Sequence, residues 1–319
     1  MRVLLTGGAG FVGQWLARAL LARGDAVDLS GLGATFSGPP VLTADERRSV
    51  RWVPADVRNA DEVAAAVKQS RPELIFHLAG VSFPPDAEHS PIAAYDINTL
   101  GAVRLLAAVQ RCKLAGELDP TVVVVGSGMQ YGLHEPSEMP LGEESSQRPL
   151  TTYAASKAAQ EVASLQFCRA SGVRVVCTRS FNHSGPGHGA QYLLPSLVAR
   201  ARQAATSQRH ALVLGNDVVR DYLHVSDVVD AYLRLASRGA AGQSYNVASG
   251  VGVSVRELAA AVLLHAGVDA DISTDPSLVR STDIPVLVGS PAKLVRETGW
   301  APTKTHDDII DDLLHAATD

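Results

Sequence analysis

Residues 7–13 read Gly-Gly-Ala-Gly-Phe-Val-Gly, directly after the apolar run Arg2–Thr6 and before a helical pattern with Val12, Leu16, Ala19 and Leu20 on one face. A strand that turns through glycines into a helix is the opening of a βαβ unit. At Gly7, Gly10 and Gly13 the missing Cβ atoms let the backbone approach a pyrophosphate, and the helix amides that begin at Phe11 and Val12 stabilise its charge. Glycines also serve plain turns and close packing. Their place after the first strand favours a nucleotide.

The rest of the first half continues in the same alternation. Short apolar strands are predicted near 26–30, 50–53, 74–78, 121–126 and 173–178, separated by helices near 60–69, 91–115 and 152–171. The strands are apolar on both faces, which is the pattern of a parallel sheet covered by helices on each side. The expected fold is therefore α/β, a Rossmann-type doubly wound parallel sheet. Beyond residue 180 the pattern loosens into a Gly/Pro-rich stretch at 184–189, helices near 190–206, 225–237, 254–266 and 305–317, and strands near 211–214 and 243–247. This divides the chain into a dinucleotide-binding part, 1–179 with 223–250 returning to it, and a smaller irregular C-terminal substrate-binding part, 180–222 with 251–319, with a cleft between them.

Composition excludes several other classes. The net charge of −5, without any cluster of Lys or Arg, offers nothing to a polyanion, so no nucleic-acid partner is expected. The longest apolar runs, Val3–Thr6, Leu74–Ala79 and Val122–Val125, are strand-sized, against the roughly 20 residues that span a bilayer. No membrane partner is expected either. Cys112, Cys168 and Cys177 form no CxxC pair, and a strand starting at residue 2 leaves no room for a signal peptide, so a reducing cytoplasm is the expected compartment.

Tyr153 and Lys157 stand four residues apart in Tyr-Ala-Ala-Ser-Lys, on one face of a helix. Ser127 follows the strand Val122–Val125 and so lies at the carboxyl end of the sheet, where a cleft of this fold opens. A lysine cation beside a partly buried phenol is expected to lower its pKa, making Tyr153 a general acid or base while Ser127 bonds the same reacting oxygen. The bland alternative is a Tyr and a Lys on a surface helix. At the end of the second strand, where an acid would hold the adenosine ribose of NAD, the residue is Gly31, and Asp28 comes too early. Without that acid the choice between NADP(H) and NAD(H) leans to NADP(H). Asp56, with Val57 after it, sits either beside the adenine or at a helix cap.

These residues resemble the extended short-chain dehydrogenase/reductases that act on nucleotide sugars. The likeness covers nearly the whole chain through GGAGFVG at 7–13, HLAG at 77–80, Asn98, SGMQYG at 127–132, YAASK at 153–157 and RDYLHVSDVV at 220–229. Ser127-Gly128, Arg148-Pro149, the run 179–187 and Arg220-Asp221-Tyr222 look most like the GDP-4-keto-6-deoxy-D-mannose reductases. The resemblance implies a catalytic triad of Ser127, Tyr153 and Lys157, with Lys157 also on the nicotinamide ribose, and a cofactor channel lined by Leu78, Ala79 and Gly80. It places Asn98 as a support of the active site, although a structural Asn fits equally. It implies a homodimer through the helices near 91–115 and 152–171.

Within the family, the 4,6-dehydratases carry an acidic pair directly after the triad Ser or Thr, and the decarboxylases a Glu at the second of those positions. Here Gly128 and Met129 stand there, and neither transfers a proton. The resemblance to the GDP-4-keto-6-deoxy-D-mannose reductases implies a reductase, acting on the C4 ketone of a nucleotide-diphospho-4-keto-6-deoxyhexose such as GDP-4-keto-6-deoxy-D-mannose to give GDP-D-rhamnose. A 4-epimerase with tightly bound NAD also survives, and a non-catalytic dinucleotide-binding protein is the distant third. Arg220 and Arg280 match family positions that hold the nucleotide diphosphate, with a surface ion pair as the alternative for each. Asn182 matches a residue at the sugar-phosphate end. Met129 and Gln130 face the sugar or simply pack. His183 and His188 flank the Gly/Pro loop without a third ligand at a recognisable spacing, so no metal is expected.

Overall fold

The computed structural model describes residues 1–33, 35–206, 211–278 and 283–316. Its first half supplies β1 (Arg2–Thr6), β2 (Ala26–Ser30), β3 (Arg51–Trp52), β4 (Leu74–His77), β5 (Thr121–Ser127) and β6 (Arg174–Ser180). After β7 (Asn182–Ser184), β8 (Ala211–Leu214) and β9 (Val219–His224), strand β10 (Gln243–Val247) returns to the same sheet. The result is seven strands in the order β10-β6-β5-β4-β1-β2-β3, all parallel.

Both faces of these strands are buried, as the continuous apolar runs require. Phe76 and Val123 pack with Leu16, Leu20 and Tyr232 on one side. Ile75, Val122 and Val124 pack with Val67, Leu105 and Val109 on the other. The strand order reverses between β1 and β4, so the connections leaving their carboxyl ends diverge and open a crevice.

The second layer is built on β9. It pairs with β7, β11 (Gly252–Ser254) and β13 (Val286–Leu287), while β12 (Asp271–Thr274) pairs with β8. Helices Leu193–Thr206, Val255–His265 and His306–His315 enclose a second core that includes Leu197, Leu258 and Ile310. Sequence periodicity missed β7, β9, β11, β12 and β13. Strand β9 carries Arg220 and Asp221, and the buried Asp221 carboxylate is satisfied by the amides of Ser249, Gly250 and Gly289, all distant in sequence.

The helix expected near 91–115 is present at Pro91–Leu114, and it is more apolar than its local runs indicated. Pro91–Tyr95, a π-helical turn at Asp96–Leu100 and Gly101–Leu114 join into 24 continuous residues, enough by length and composition to cross a membrane. Leu105, Leu106 and Val109 of that helix are buried in the core beside the sheet.

Candidate active site

A cleft of about 1500 Å³ runs along the carboxyl ends of the strands, from Gly31 past the glycine loop to Ser127 and Tyr153 and on to Tyr222. Gly7 adopts φ +71°, and a Cβ there would stand 2.6 Å from the amide nitrogen of Ala79, so the loops after β1 and β4 touch backbone to backbone. The helix Phe11–Ala22 begins at Gly10 with no side-chain cap and no acid in its first turn, leaving its N-terminal amides for an anion. Gly7, Gly10, Phe11, Val12, Gly13, Leu78, Ala79 and Gly80 all line the cleft.

Gly31 also lines it, with no atom of the described residues within 4 Å of the position of a missing Cβ. Asp28 is turned away to a bidentate pair with Arg51. Asp56 and Val57 line the cleft, and the Arg58 guanidinium beside Asp56 holds its carboxyl below the usual range. The cap of the next helix is Asn59, so Asp56 does not serve there.

Ser127, Tyr153 and Lys157 converge on the middle of the cleft. Ser127 ends β5; Tyr153 and Lys157 lie one turn apart on the helix Thr152–Ser171, whose start is capped by Thr151. Burial raises the Tyr153 phenol above its ordinary value, and the facing Ser127 hydroxyl pulls it back. This corrects the expectation that Lys157 lowers that pKa. Its ammonium is turned to the Val125 carbonyl (2.8 Å) and Gln160 Oε1 (3.0 Å), and burial pushes its own pKa down to about 8. Without a ligand, Tyr153 is a neutral phenol, able to donate a proton.

Two expected site residues lie behind the cleft. Asn98 is fully buried: its Oδ1 accepts from Val81 N (2.8 Å) and its Nδ2 donates to Ser156 Oγ (2.9 Å), so it ties the connection after β4 to the helix of Tyr153. Gln130 is also fully buried and points into the fold, whereas Gly128 and Met129 do line the cleft. Asn182 lines it opposite, paired in register with Tyr222 of β9. Arg220 lies one pleat beyond Tyr222 on the same face of β9 and donates to the Val219 carbonyl. Arg280 lies outside the described residues.

An aromatic column was not foreseen. Phe11 stacks on His188 (4.5 Å between ring centres), and His188 on Tyr192 (4.2 Å), whose hydroxyl meets Ser82 Oγ at 3.0 Å. Burial drives His188 down to about 3 and lowers His183 as well, so both imidazoles are neutral parts of this wall.

A dinucleotide loop at the switch point of a parallel sheet, with Ser, Tyr and Lys converging across the same cleft, marks the oxidoreductases of the extended short-chain dehydrogenase/reductase type. Within them, the chain belongs to the GDP-mannose 4,6-dehydratase family, whose model matches residues 4–313. It is 38% identical over 238 residues to the GDP-6-deoxy-D-mannose reductase of Pseudomonas aeruginosa, covering 73% of this chain and 76% of that protein. It is 34% identical over 269 residues to the UDP-glucose 4-epimerase of Mycolicibacterium smegmatis, covering 82% of each. Among solved structures, RMD from Pseudomonas aeruginosa complexed with NADPH superposes with a TM-score of 0.81 at 32% identity, over 98% of both chains. The chain thus stands among the nucleotide-sugar reductases, epimerases and dehydratases, as its motifs implied.

Proposed function

We propose that this protein reduces the C4 ketone of a nucleotide-diphospho-4-keto-6-deoxyhexose, with GDP-4-keto-6-deoxy-D-mannose as substrate and GDP-D-rhamnose as product. The observation that carries this reading is an acid-base set with no acid at the two positions directly after Ser127. Ser127, Tyr153 and Lys157 are together in the cleft, while Gly128 and Met129 occupy the positions where a dehydration would need its own proton donors. A Cβ at Gly128 would stand 2.9 Å from the Phe181 ring, so that wall has no room for a carboxylate. The 38% identical relative named as a GDP-6-deoxy-D-mannose reductase supports the substrate class.

The cleft suits a nicotinamide dinucleotide: the glycine loop gives the backbone approach and the uncapped helix start the positive end for a diphosphate. With Gly31 in place of an acid, NADP(H) is the preferred form, in line with the NADPH of the Pseudomonas aeruginosa structure. When bound, the cofactor supplies the hydride. The protein's own groups do the rest. Ser127 holds the ketone oxygen, Tyr153 protonates it, and the Lys157 ammonium moves from Gln160 to the cofactor ribose. Asn182 and Arg220, with Arg280, bind the diphosphate, and Met129 forms an unreactive wall beside the sugar. Residues 180–222 and 251–319 act as the substrate part and 1–179 with 223–250 as the cofactor part.

A nucleotide-sugar 4-epimerase with tightly held NAD is the second reading, favoured by the Mycolicibacterium smegmatis relative. The absorbance spectrum of the purified protein separates the two, because an epimerase keeps its dinucleotide through purification and the proposed reductase exchanges it. We place the enzyme in the cytoplasm as a homodimer. Ile92, Tyr95 and Leu100 on the helix Pro91–Leu114, and Val162 on the neighbouring helix, are exposed apolar side chains that a second copy would cover.

A further inference from the structure

Gln130 does not reach the cleft, and the reason lies in a buried network beneath Ser127. The backbone amide of Ser127 donates to Gln130 Oε1 at 2.7 Å, and Gln130 Nε2 donates to Glu161 Oε2 at 3.0 Å. Glu161 is held by two bonds from Arg179, at 2.6 and 3.0 Å, and by one from Gln147 at 3.0 Å. Gln130, Glu161 and Arg179 are 0%, 4% and 6% exposed. We infer that Gln130 and Glu161 are positioning residues for Ser127: the carboxylate fixes which end of the Gln130 amide faces the strand, and that amide holds the Ser127 backbone in place.

The chemistry at position 130 allows little else. One group must accept from the Ser127 N–H and at the same time donate to a carboxylate, which a carboxamide does and a carboxylate or an alkyl chain does not. Glu161 removes the ambiguity of the amide, since the reverse orientation would set two acceptors against each other and leave a buried N–H facing another. Gly126 leaves the space, for a Cβ there would stand 2.5 Å from Gln130 Oε1. Ser127 is the last residue of β5, where the strand gives way to the turn Gly128–Tyr131, so its backbone is not fixed by a further strand residue. Its hydroxyl already accepts from Met129 N at 3.2 Å, which leaves the O–H to be directed at Tyr153. A buried ion pair contributes little net stability compared with an apolar filling, so the value of Glu161–Arg179 is sought in what it orients.

This inference rests on the proposed role of Ser127, and the test separates the two. Gln130→Met removes both hydrogen bonds at similar volume. The double exchange Gln130→Glu with Glu161→Gln keeps an acceptor for the Ser127 N–H, reverses the bond between residues 130 and 161, and keeps the buried charge. With NADPH and GDP-4-keto-6-deoxy-D-mannose, Gln130→Met is expected to lower kcat by roughly 10- to 100-fold through misplacement of Ser127. KM for the sugar and Kd for NADPH stay near wild type, and the double exchange recovers most of kcat. Independently of turnover, the ultraviolet tyrosinate titration, taken as the difference from Tyr153→Phe, should move upward in Gln130→Met, in the same direction as in Ser127→Ala. A wild-type protein without turnover contradicts the reductase reading alone, because the titration still decides the positioning role. Wild-type kcat and an unmoved Tyr153 titration in Gln130→Met overturn the inference. If that variant does not fold, the double exchange decides: a stable protein with kcat still depressed overturns it.

Discussion

Gly128 and Phe181 share one wall of the cleft with no gap between them, since a Cβ at position 128 would lie 2.9 Å from the Phe181 ring. In the proposed reductase reading, this contact adds to the absence of an acid at position 128 in setting the site against dehydration chemistry. Gly128→Asp should lower the melting temperature, with overpacking costing about 1–3 kcal/mol. It should abolish reduction and produce no 4,6-dehydration of a GDP-hexose. Dehydrated product from that variant would show that the wall yields.

Gly7 and Gly10 of the loop have different tasks. At Gly7 a Cβ meets the Ala79 backbone at 2.6 Å in a positive-φ conformation; at Gly10 the nearest atom is the Gly7 carbonyl at 3.4 Å. Gly7→Ala should therefore lose both stability, by about 1–3 kcal/mol, and NADPH affinity. Gly10→Ala should keep its melting temperature and lose affinity only. Calorimetry and a fluorescence titration of NADPH distinguish the two, and equal destabilisation would refute the assignment.

Acid sensitivity follows from the buried imidazoles. Burial pushes His77 and His188 from 6.5 down to about 3. Below pH 6.5 the unfolded chain binds protons that the native state does not, so stability is full above that pH and falls as the pH drops toward 3. For the fully buried His77 the slope approaches about 1.4 kcal/mol per pH unit. His188→Phe preserves a ring between Phe11 and Tyr192 and should flatten the decline of melting temperature with acid. An unchanged decline would mean that His188 titrates normally.

The glycine loop, the alternation of strands and helices, and the Ser127, Tyr153 and Lys157 set were all legible in the sequence, because each is written in local spacing. What was not legible depends on distant partners. Gln130, open between the sugar and simple packing, and Asn98, open between support of the site and a structural role, were decided only by Glu161 and Ser156 from another helix. Strand β9 was invisible because Arg220 and Asp221 look like surface charges, and only the amides near 249 and 289 show how Asp221 is buried. The direction of the Tyr153 shift could not be read either, since it is set first by how deeply distant elements bury the phenol.

Burial lowers the pKa of Arg220, and nearby Asp283 and Tyr222 favour its charge. If it holds the diphosphate, Arg220→Met should raise the KM of the GDP-sugar by about 10- to 100-fold, the weight of a charged hydrogen bond, and leave NADPH affinity alone. Parallel loss of both affinities in steady-state kinetics and titration would point to a structural role instead.

The exposed Val162 is 62% accessible on the helix that neighbours Ile92 and Leu100. Val162→Asp should shift sedimentation from dimer to monomer while the fold is retained. A wild-type monomer in the same experiment would remove the proposed interface.

Reduction at C4 is decided by purified protein with NADPH and GDP-4-keto-6-deoxy-D-mannose, following cofactor absorbance and identifying the sugar product. Loss of one NADPH per GDP-6-deoxyhexose formed, abolished in Tyr153→Phe, is the predicted result. Binding of the keto sugar without any NADPH consumption would contradict it.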